Sequence, residues 1–322
     1  MDPILSMRAF VRVVESGNFT RAAESLALPK GTITKQIQSL EERVQSKLLN
    51  RTTRRVTVTP DGAAYYERAA RLLNDFDDLE SSMTNAQASP QGRLRIDVGS
   101  STAQLLILPA LQSFCEKYPD IQVDLGVTDR PVDLLGENVD CVIRGGQLTD
   151  QSLVARRIAM LPFITVASPS YVKRYGTPQH PSDLEKRHHV VGYFSARTRR
   201  NMPHEFKKGD EYYELTLPYR VSVNEANAHF HAVLGGYGIS QVVSFHAQPY
   251  IDRGELIQLL PEWNIEPLPM YVVYPPNRHL SPKVRAFVDW VADMFATHPL
   301  LSARQADPVP PIGVPPAAAL VV

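Results

Sequence analysis

The chain has 322 residues, 43% of them hydrophobic and 21% charged, with two cysteines and a formal net charge of +0. That length accommodates about two domains whose cores need neither disulfides nor metals. Asp2, Arg8, Arg12 and Glu15 interrupt the first seventeen residues, which argues against a secretory signal, and no apolar run reaches the roughly eighteen residues of a membrane span. The expected location is the reducing cytoplasm, with no membrane partner. The zero balance conceals an asymmetry: residues 1–58 carry ten Lys/Arg against five Asp/Glu, a net +5, leaving −5 for the rest. A basic head on an acidic body is the pattern of a protein with one polyanion-binding end, though chance segregation gives the same balance.

In chain order, Asp2 and Pro3 open a helix whose Ile4, Met7, Phe10, Val11 and Val14 share one face, and Gly17 closes it. Thr20 is the expected N-cap of a short second helix with Ala22, Ala23 and Leu26 inward. After a break at 27–30, a third helix carries Ile33, Ile37, Leu40 and Val44 at spacings of four, three and four. Two helices across so short a turn outline a helix-turn-helix; a tight αα-hairpin with no DNA role has the same outline. Residues 47–49 and 56–59 pair as strands around a tip bearing Arg51, Arg54 and Arg55, which reads as a phosphate-gripping wing or as a solvated basic loop.

From Thr59-Pro60 a long helix runs to about residue 84 and sets Gly62, Tyr65, Ala69, Leu72, Phe76, Leu79 and Met83 at alternating steps of three and four. This heptad seam favours pairing with a second copy over packing on its own domain, with Tyr65, Ala69, Leu72, Phe76 and Leu79 as the dimerisation residues. The polar stretch 85–92, with Ser89-Pro90, is a linker. Beyond it, Leu94, Ile96 and Val98 alternate as a strand, a helix spans about 102–118, and strands follow at 123–127 and 139–143. Similar units continue to a helix opened by Ser281-Pro282, with Val284, Phe287, Val288, Val291 and Phe295 on one side. The alternation predicts an α/β domain with a parallel sheet. Prolines 308, 310, 311, 315 and 316 predict an unstructured tail.

No Ser/His/Asp arrangement or paired carboxylates stand in a recognisable frame, and Gly235-Gly236-Tyr237-Gly238 ends a helix before a strand, so it is no nucleotide loop. No enzyme activity is expected. His188-His189, His229 and His231 lack the companions of a zinc site, so neither metal nor cofactor is expected. Cys115 and Cys141 read as small packing residues of a helix and a strand rather than a redox pair.

The run from Asn18 to Gly62, NFTRAAESLALPKGTITKQIQSLEERVQSKLLNRTTRRVTVTPDG, resembles the DNA-binding head of the LysR-type transcriptional regulators. The matching positions include Phe19, Ala22-Ala23, Leu26, Gln36-Ile37, Leu40-Glu41, Leu48-Leu49, Arg51, Thr59-Pro60 and Gly62. LRIDVGSS from Leu94, LPALQSFCEKYPDIQV from Leu108, VDCVIRGG from Val139, VASPSYVKRYGTP from Val166 and VNEANAHFHAVLGGYGIS from Val223 are similar too. The resemblance covers residues 1–297. It implies an N-terminal, mainly α-helical winged helix-turn-helix (1–59), then a dimerising linker helix and hinge (60–92). A two-lobed α/β effector domain like periplasmic binding proteins follows (93–297), and a disordered tail ends the chain (298–322). Lobe I would hold 93–162 and 267–297, lobe II 163–266, with crossings near Pro162 and Glu266 and a small-molecule effector between the lobes. The implied partners are double-stranded DNA with a dyad-symmetric operator, further copies of the chain as a homodimer or homotetramer, and RNA polymerase.

There are departures. Pro29 stands where the family often has a capping Ser or Thr, so the cap must come from elsewhere, such as Thr32 in a shifted start. Gly31 and Val243 stand where proline is common. Lys30, Thr32, Thr34, Lys35 and Gln36 supply the donors, acceptors and methyls that base edges and phosphates demand. Gln36 suits an interhelical hydrogen bond as well as a base. Arg51, Arg54 and Arg55 would hold the DNA backbone, or Arg51 would pair with Glu41 or Glu42. In the effector domain, Ser100, Ser101 and Thr102 enter a helix whose N–H groups suit an anion or carbonyl, although Ser101 or Thr102 would equally serve as a cap. Asn224 and Asn227 flank a second helix start facing the same cleft. Arg144 would bind a ligand carboxylate or an internal acid such as Asp129.

Overall fold

The computed structural model describes residues 2–51, 56–83, 89–134, 136–146, 152–276, 280–298 and 301, with the side chains of 51, 74, 75, 78 and 80–83 outside that description. The tail prolines lie outside the described residues. The chain forms two compact units, Met1–Ala88 and Ser89–Val322.

In the first unit, α1 (Pro3–Ser16) begins where the Asp2 carboxylate accepts from the Ile4 N–H at 2.8 Å, and ends on Gly17 at φ 62°. The cap of α2 (Phe19–Ser25) is Asn18 rather than Thr20. The Asn18 side-chain oxygen accepts from the Thr20 N–H at 2.7 Å, so the helix starts one residue earlier than its threonine. α3 (Lys30–Val44) starts directly after Pro29 with no side-chain cap. The start is not shifted to Thr32, because the Pro29 carbonyl, held extended, already accepts from the Thr32 N–H at 2.9 Å. β1 (Leu49–Arg51) and β2 (Val56–Val58) pair antiparallel, Leu49 opposite Val58. α4 (Pro60–Met83) follows.

The three-four spacing of α3 puts Ile33, Ile37 and Leu40 on one stripe. All three are fully buried with Phe10 from α1, and Ala69 and Leu73 of α4 close the same core. Burying each of the larger side chains contributes about 1.5–3 kcal/mol.

The second unit has two lobes. Lobe I opens with β3 (Gly92–Val98). A continuous helix then runs through α5 (Ser100–Thr102), a π-turn at Ala103–Ile107 and α6 (Leu108–Lys117). β4 (Ile121–Val127), β5 (Cys141–Gly145) and β6 (Val154–Leu161) complete the lobe's first passage. Past Pro162 the chain enters lobe II, whose first half holds β7 (Phe163–Ala167), α7 (Pro169–Tyr175), α8 (Leu184–Arg187) and β8 (Val190–Tyr193). Then come β9 (His204–Lys208), β10 (Glu211–Leu215), β11 (Tyr219–Val223), α9 (Ala226–Leu234), β12 (Ser240–Val243), α10 (Ser244–Asp252) and β13 (Ile257–Leu259). β14 (Leu268–Tyr274) and α11 (Pro282–Thr297) return to lobe I.

The lobe I sheet has the order β4-β3-β5-β14-β6. It is mixed, not parallel. β3, β4 and β5 run together, whereas β14 re-enters from lobe II and lies antiparallel to β5 and β6. Lobe II holds an antiparallel β12-β7-β13 sheet, the parallel β8–β11 pair and the β9–β10 hairpin. Among the described residues no helix is long and apolar enough to cross a membrane.

Candidate nucleic-acid interface and ligand junction

Because α3 commits one stripe to the core, its other face stands in solvent. Lys30 and Lys35 are exposed, and Thr32 and Thr34 are half-buried between them. The Thr34 hydroxyl donates to the Lys30 carbonyl at 3.1 Å. Gln36 is not on that face. It is 6% exposed, and its side-chain oxygen accepts from the Ser6 hydroxyl at 2.6 Å. It is an interhelical tie between α1 and α3, turned inward beside Ile33, Ile37 and Leu40. Gln38, three residues past Lys35, is exposed instead and extends the polar face by a turn. Its spacing from Thr34 and Lys35 was the signal for it in the sequence.

At the far end of α3, Glu41 is 5% exposed. It accepts from the Leu48 and Leu49 N–H groups at 2.9 and 3.1 Å and from the Lys47 ammonium at 3.1 Å. Burial raises its pKa, but the Leu49 N–H, Lys47 and the Leu48 N–H outweigh it and hold the carboxyl below its ordinary range. This carboxylate fixes the base of the β1–β2 hairpin to the helix. Gly62 packs against the Leu48 carbonyl and Val58 so closely that no Cβ fits. The Arg51 backbone lies in β1, while its side chain and all of Arg54 and Arg55 lie outside the described residues.

The heptad seam of α4 divides into two parts. Gly62, Tyr65 and Ala69 face their own domain: Ala69 is 2% exposed, and the Tyr65 ring meets Phe10 edge-on at 5.6 Å. These residues close the helix-turn-helix core and are not a dimer seam, because α4's first turns lie against α1. Further along, Leu72 and Leu79 are 59% and 56% exposed. Phe76 is half-buried beneath Arg8, which pairs with Asp77.

In the second unit the two lobes meet where the turn after β3 faces the start of α9. Asp129 lies between them. Its carboxylate accepts from the Ser100 N–H at 2.7 Å and the Ser100 hydroxyl at 2.8 Å in lobe I, and from the Ala226 N–H at 2.6 Å in lobe II. The first turn of the α5 helix is thus held by Asp129, not capped by Ser101 or Thr102, both of which are buried. Glu225 caps α9 through the Asn227 and Ala228 N–H groups at 3.0 and 2.6 Å. Burial raises the Glu225 pKa, yet Ser100 and these N–H groups bring it below its usual value.

The donors that suit an anion therefore already hold the chain's own carboxylates. Asp129 stood in the sequence as an acid for Arg144, but nothing there pointed to Ser100 and Ala226, which lie 29 and 97 residues away.

Arg144 is 6% exposed, and its internal acid is Asp97 rather than Asp129. β3 and β5 run parallel with Asp97 opposite Val142, which sets Arg144 two residues along on the same face. Arg144 also donates to the Ile143 carbonyl at 3.0 Å, and its Nε has no partner among the described residues. Asn224 is exposed, and its carbonyl accepts from the Tyr193 hydroxyl at 3.4 Å. Asn227 is half-buried with an unpartnered side-chain oxygen among the described residues. Burial, Asp129 and Glu225 all push the Tyr193 hydroxyl pKa up. Cys141 is fully buried, which drives its thiol pKa well up, whereas Cys115 is exposed on α6, not packed inward.

A helix-turn-helix with a two-stranded wing, followed by a two-lobed α/β unit, defines a DNA-binding regulator with an effector-binding domain. Residues 4–63 match the profile of the bacterial regulatory helix-turn-helix proteins of the lysR family, and residues 87–296 match the LysR substrate binding domain. The chain belongs to the LysR family of transcriptional regulators. It is 37% identical over 299 residues to an HTH-type transcriptional repressor of Pseudomonas aeruginosa, covering 93% of this chain and 94% of that one. Among solved structures it is similar to the Vibrio cholerae virulence activator AphB (TM-score 0.58, 28% identity, 91% of this chain and 99% of that chain). It is also similar to the LysR-type regulator CrgA of Neisseria meningitidis (TM-score 0.57, 31% identity, 90% and 97%).

Proposed function

We propose that two copies of the chain read a dyad-symmetric operator in double-stranded DNA. Each would place α3 in the major groove, with Thr32, Thr34 and Lys35 at base edges and Lys30 and Gln38 beside them. Arg51, Arg54 and Arg55 of the wing hold phosphates. Pairing runs through Leu72, Phe76 and Leu79. A small-molecule effector enters the lobe junction lined by Ser100, Ser101, Thr102, Arg144, Asn224 and Asn227. It changes how the lobes sit against one another, and through them DNA contact and RNA polymerase recruitment. The observation that carries this reading is the division of α3: Ile33, Ile37 and Leu40 fully buried, Lys30 and Lys35 exposed on the opposite side.

Footprinting of the full chain on the DNA upstream of its own gene, across a salt series and beside Lys35→Ala, tests it. The expected result is a symmetric protected site, with affinity falling steeply as salt rises and weakened by the substitution. Absence of protection at every salt on that and the flanking intergenic DNA would leave the exposed face of α3 without its proposed role.

A further inference from the structure

We propose that lobe II carries a ligand site of its own, apart from the lobe junction, which takes a small organic carboxylate with an apolar body. The site is a cavity of about 420 Å³ whose walls include Arg199, Arg200, Asn201, His204 and the apolar Val190 and Leu217. That volume is in the range of small-molecule pockets. It lies on the far side of β8 from the junction. Val191 packs with Phe230 and Val233 of α9, and the Tyr193 ring meets His229 of α9 at 5.4 Å. Val190 and Gly192 alternate to the opposite face, where the cavity is.

Three features specify the ligand. First, the cavity has two guanidinium groups and no carboxylate on its walls. Arg199 and Arg200 are exposed and make no ion pair with a described residue; Arg199 lies over the Phe194 ring at 5.8 Å, which leaves its N–H edge, like the Arg200 fork, to an anion. Arg199 lies at φ 59° in a turn closed by its N–H to the Ser195 carbonyl at 2.8 Å and the Ser195 N–H to the Arg200 carbonyl at 3.0 Å. Second, His204 is 6% exposed and lines the cavity, with its backbone held in the β9–β10 pair and its ring making no hydrogen bond to a described residue. Its ring nitrogens face a space where a ligand can bond them. Third, glycine at 192 leaves room for the Asn201 side chain of the loop to lie against β8. A Cβ there would lie 2.5 Å from the Asn201 side-chain oxygen and 2.8 Å from the Ser222 hydroxyl. That oxygen accepts from Ser222, which leaves the Asn201 amide N–H groups as donors. Cationic forks, neutral donors and Val190, Met202 and Leu217 side by side fit a carboxylate joined to a hydrocarbon body.

Calorimetric titration of the full chain with benzoate, and with benzamide as its uncharged counterpart, tests the site. Benzoate is expected to saturate, with benzamide at least about tenfold weaker, the usual effect of losing one charge-assisted hydrogen bond. Arg199→Gln/Arg200→Gln should weaken benzoate by about tenfold or more. Thr216→Trp, at an exposed position of the wall, should give the same loss by filling the cavity while leaving its charges alone. Ser100→Ala at the junction should leave benzoate binding unchanged. Loss of benzoate in Ser100→Ala, equal binding by the double arginine variant, or no saturable benzoate binding up to about 10 mM would each overturn the proposal. Inorganic phosphate binding there in place of benzoate would overturn its ligand class.

Discussion

At the scale of single residues, two polar groups have partners that their neighbours in sequence do not disclose. Gln36 lies next to Lys35 on a recognition-type helix, yet one turns inward to Ser6 and the other stands in solvent. Gln36→Ala is therefore expected to lower stability by about 1 kcal/mol, the net value of one buried hydrogen bond, and to leave DNA sequence preference intact. Lys35→Ala should do the reverse, and melting curves read beside footprints separate the two. Asp129 ties Ser100 to Ala226 through three hydrogen bonds. Asp129→Asn removes the charge and half of the accepting capacity. The Ser100 and Ala226 amides should then exchange with solvent about tenfold or more faster, and unchanged protection would remove Asp129 as a tie between the lobes. The residue types of both sites were readable in the sequence. The identity of their partners was not, because a hydrogen bond 29 to 97 residues long leaves no local pattern.

At the scale of elements, α4 shows how one period serves two partners. Three-four spacing predicts an apolar stripe and is silent on what covers it. The first turns carry Tyr65 and Ala69 against α1, with Ala70 and Leu73 buried beside them, whereas Leu72 and Leu79 stay exposed. Leu72→Ser/Leu79→Ser should leave the first unit folded, since neither side chain is in its core, and lower its melting only by the pairing that is lost. The same variant should weaken self-association about a thousandfold or more, the loss of two buried leucines per chain. Sedimentation at micromolar concentration reads this directly, and a variant that sediments as the parent does would move the dimer seam elsewhere. The lobe I sheet carries a parallel lesson. Strand and helix alternation predicts parallel pairing, but β14 reaches the sheet from the other lobe and runs antiparallel. Direction of arrival belongs to the connection, not to the strand's own residues.

At the scale of the whole molecule, lobe II concentrates histidines that burial keeps neutral. His204 and His246 are each 6% exposed, with pKa values lowered to about 4 by burial, and His229 and His188 are lowered for the same reason. His246 is stacked on Phe230 at 3.6 Å. A lowered folded-state pKa means that the unfolded chain binds the proton first as pH falls. The stabilisation is complete above about 6.5 and is lost as pH drops toward 4. Each of these two histidines should remove about 2 kcal/mol by pH 5. The apparent Tm of the second unit is therefore expected to fall between pH 6.5 and 4.5, with a shallower slope in His246→Phe; an equal slope in that variant would assign the loss to other groups. Periodicity and composition fixed the three-helix head, its winged hairpin, the first strands and helix of lobe I, the last helix, and the +5 end of a neutral chain. These follow from side-chain spacing along a helix or strand, which is a local property. Tertiary structure alone decided that Gln36 faces inward, that half of the α4 seam is its own domain's core, and that Asp129 and Asp97 already hold Ser100 and Arg144. Each depends on which distant backbone arrives beside the residue, and burial makes that arrival energetically decisive.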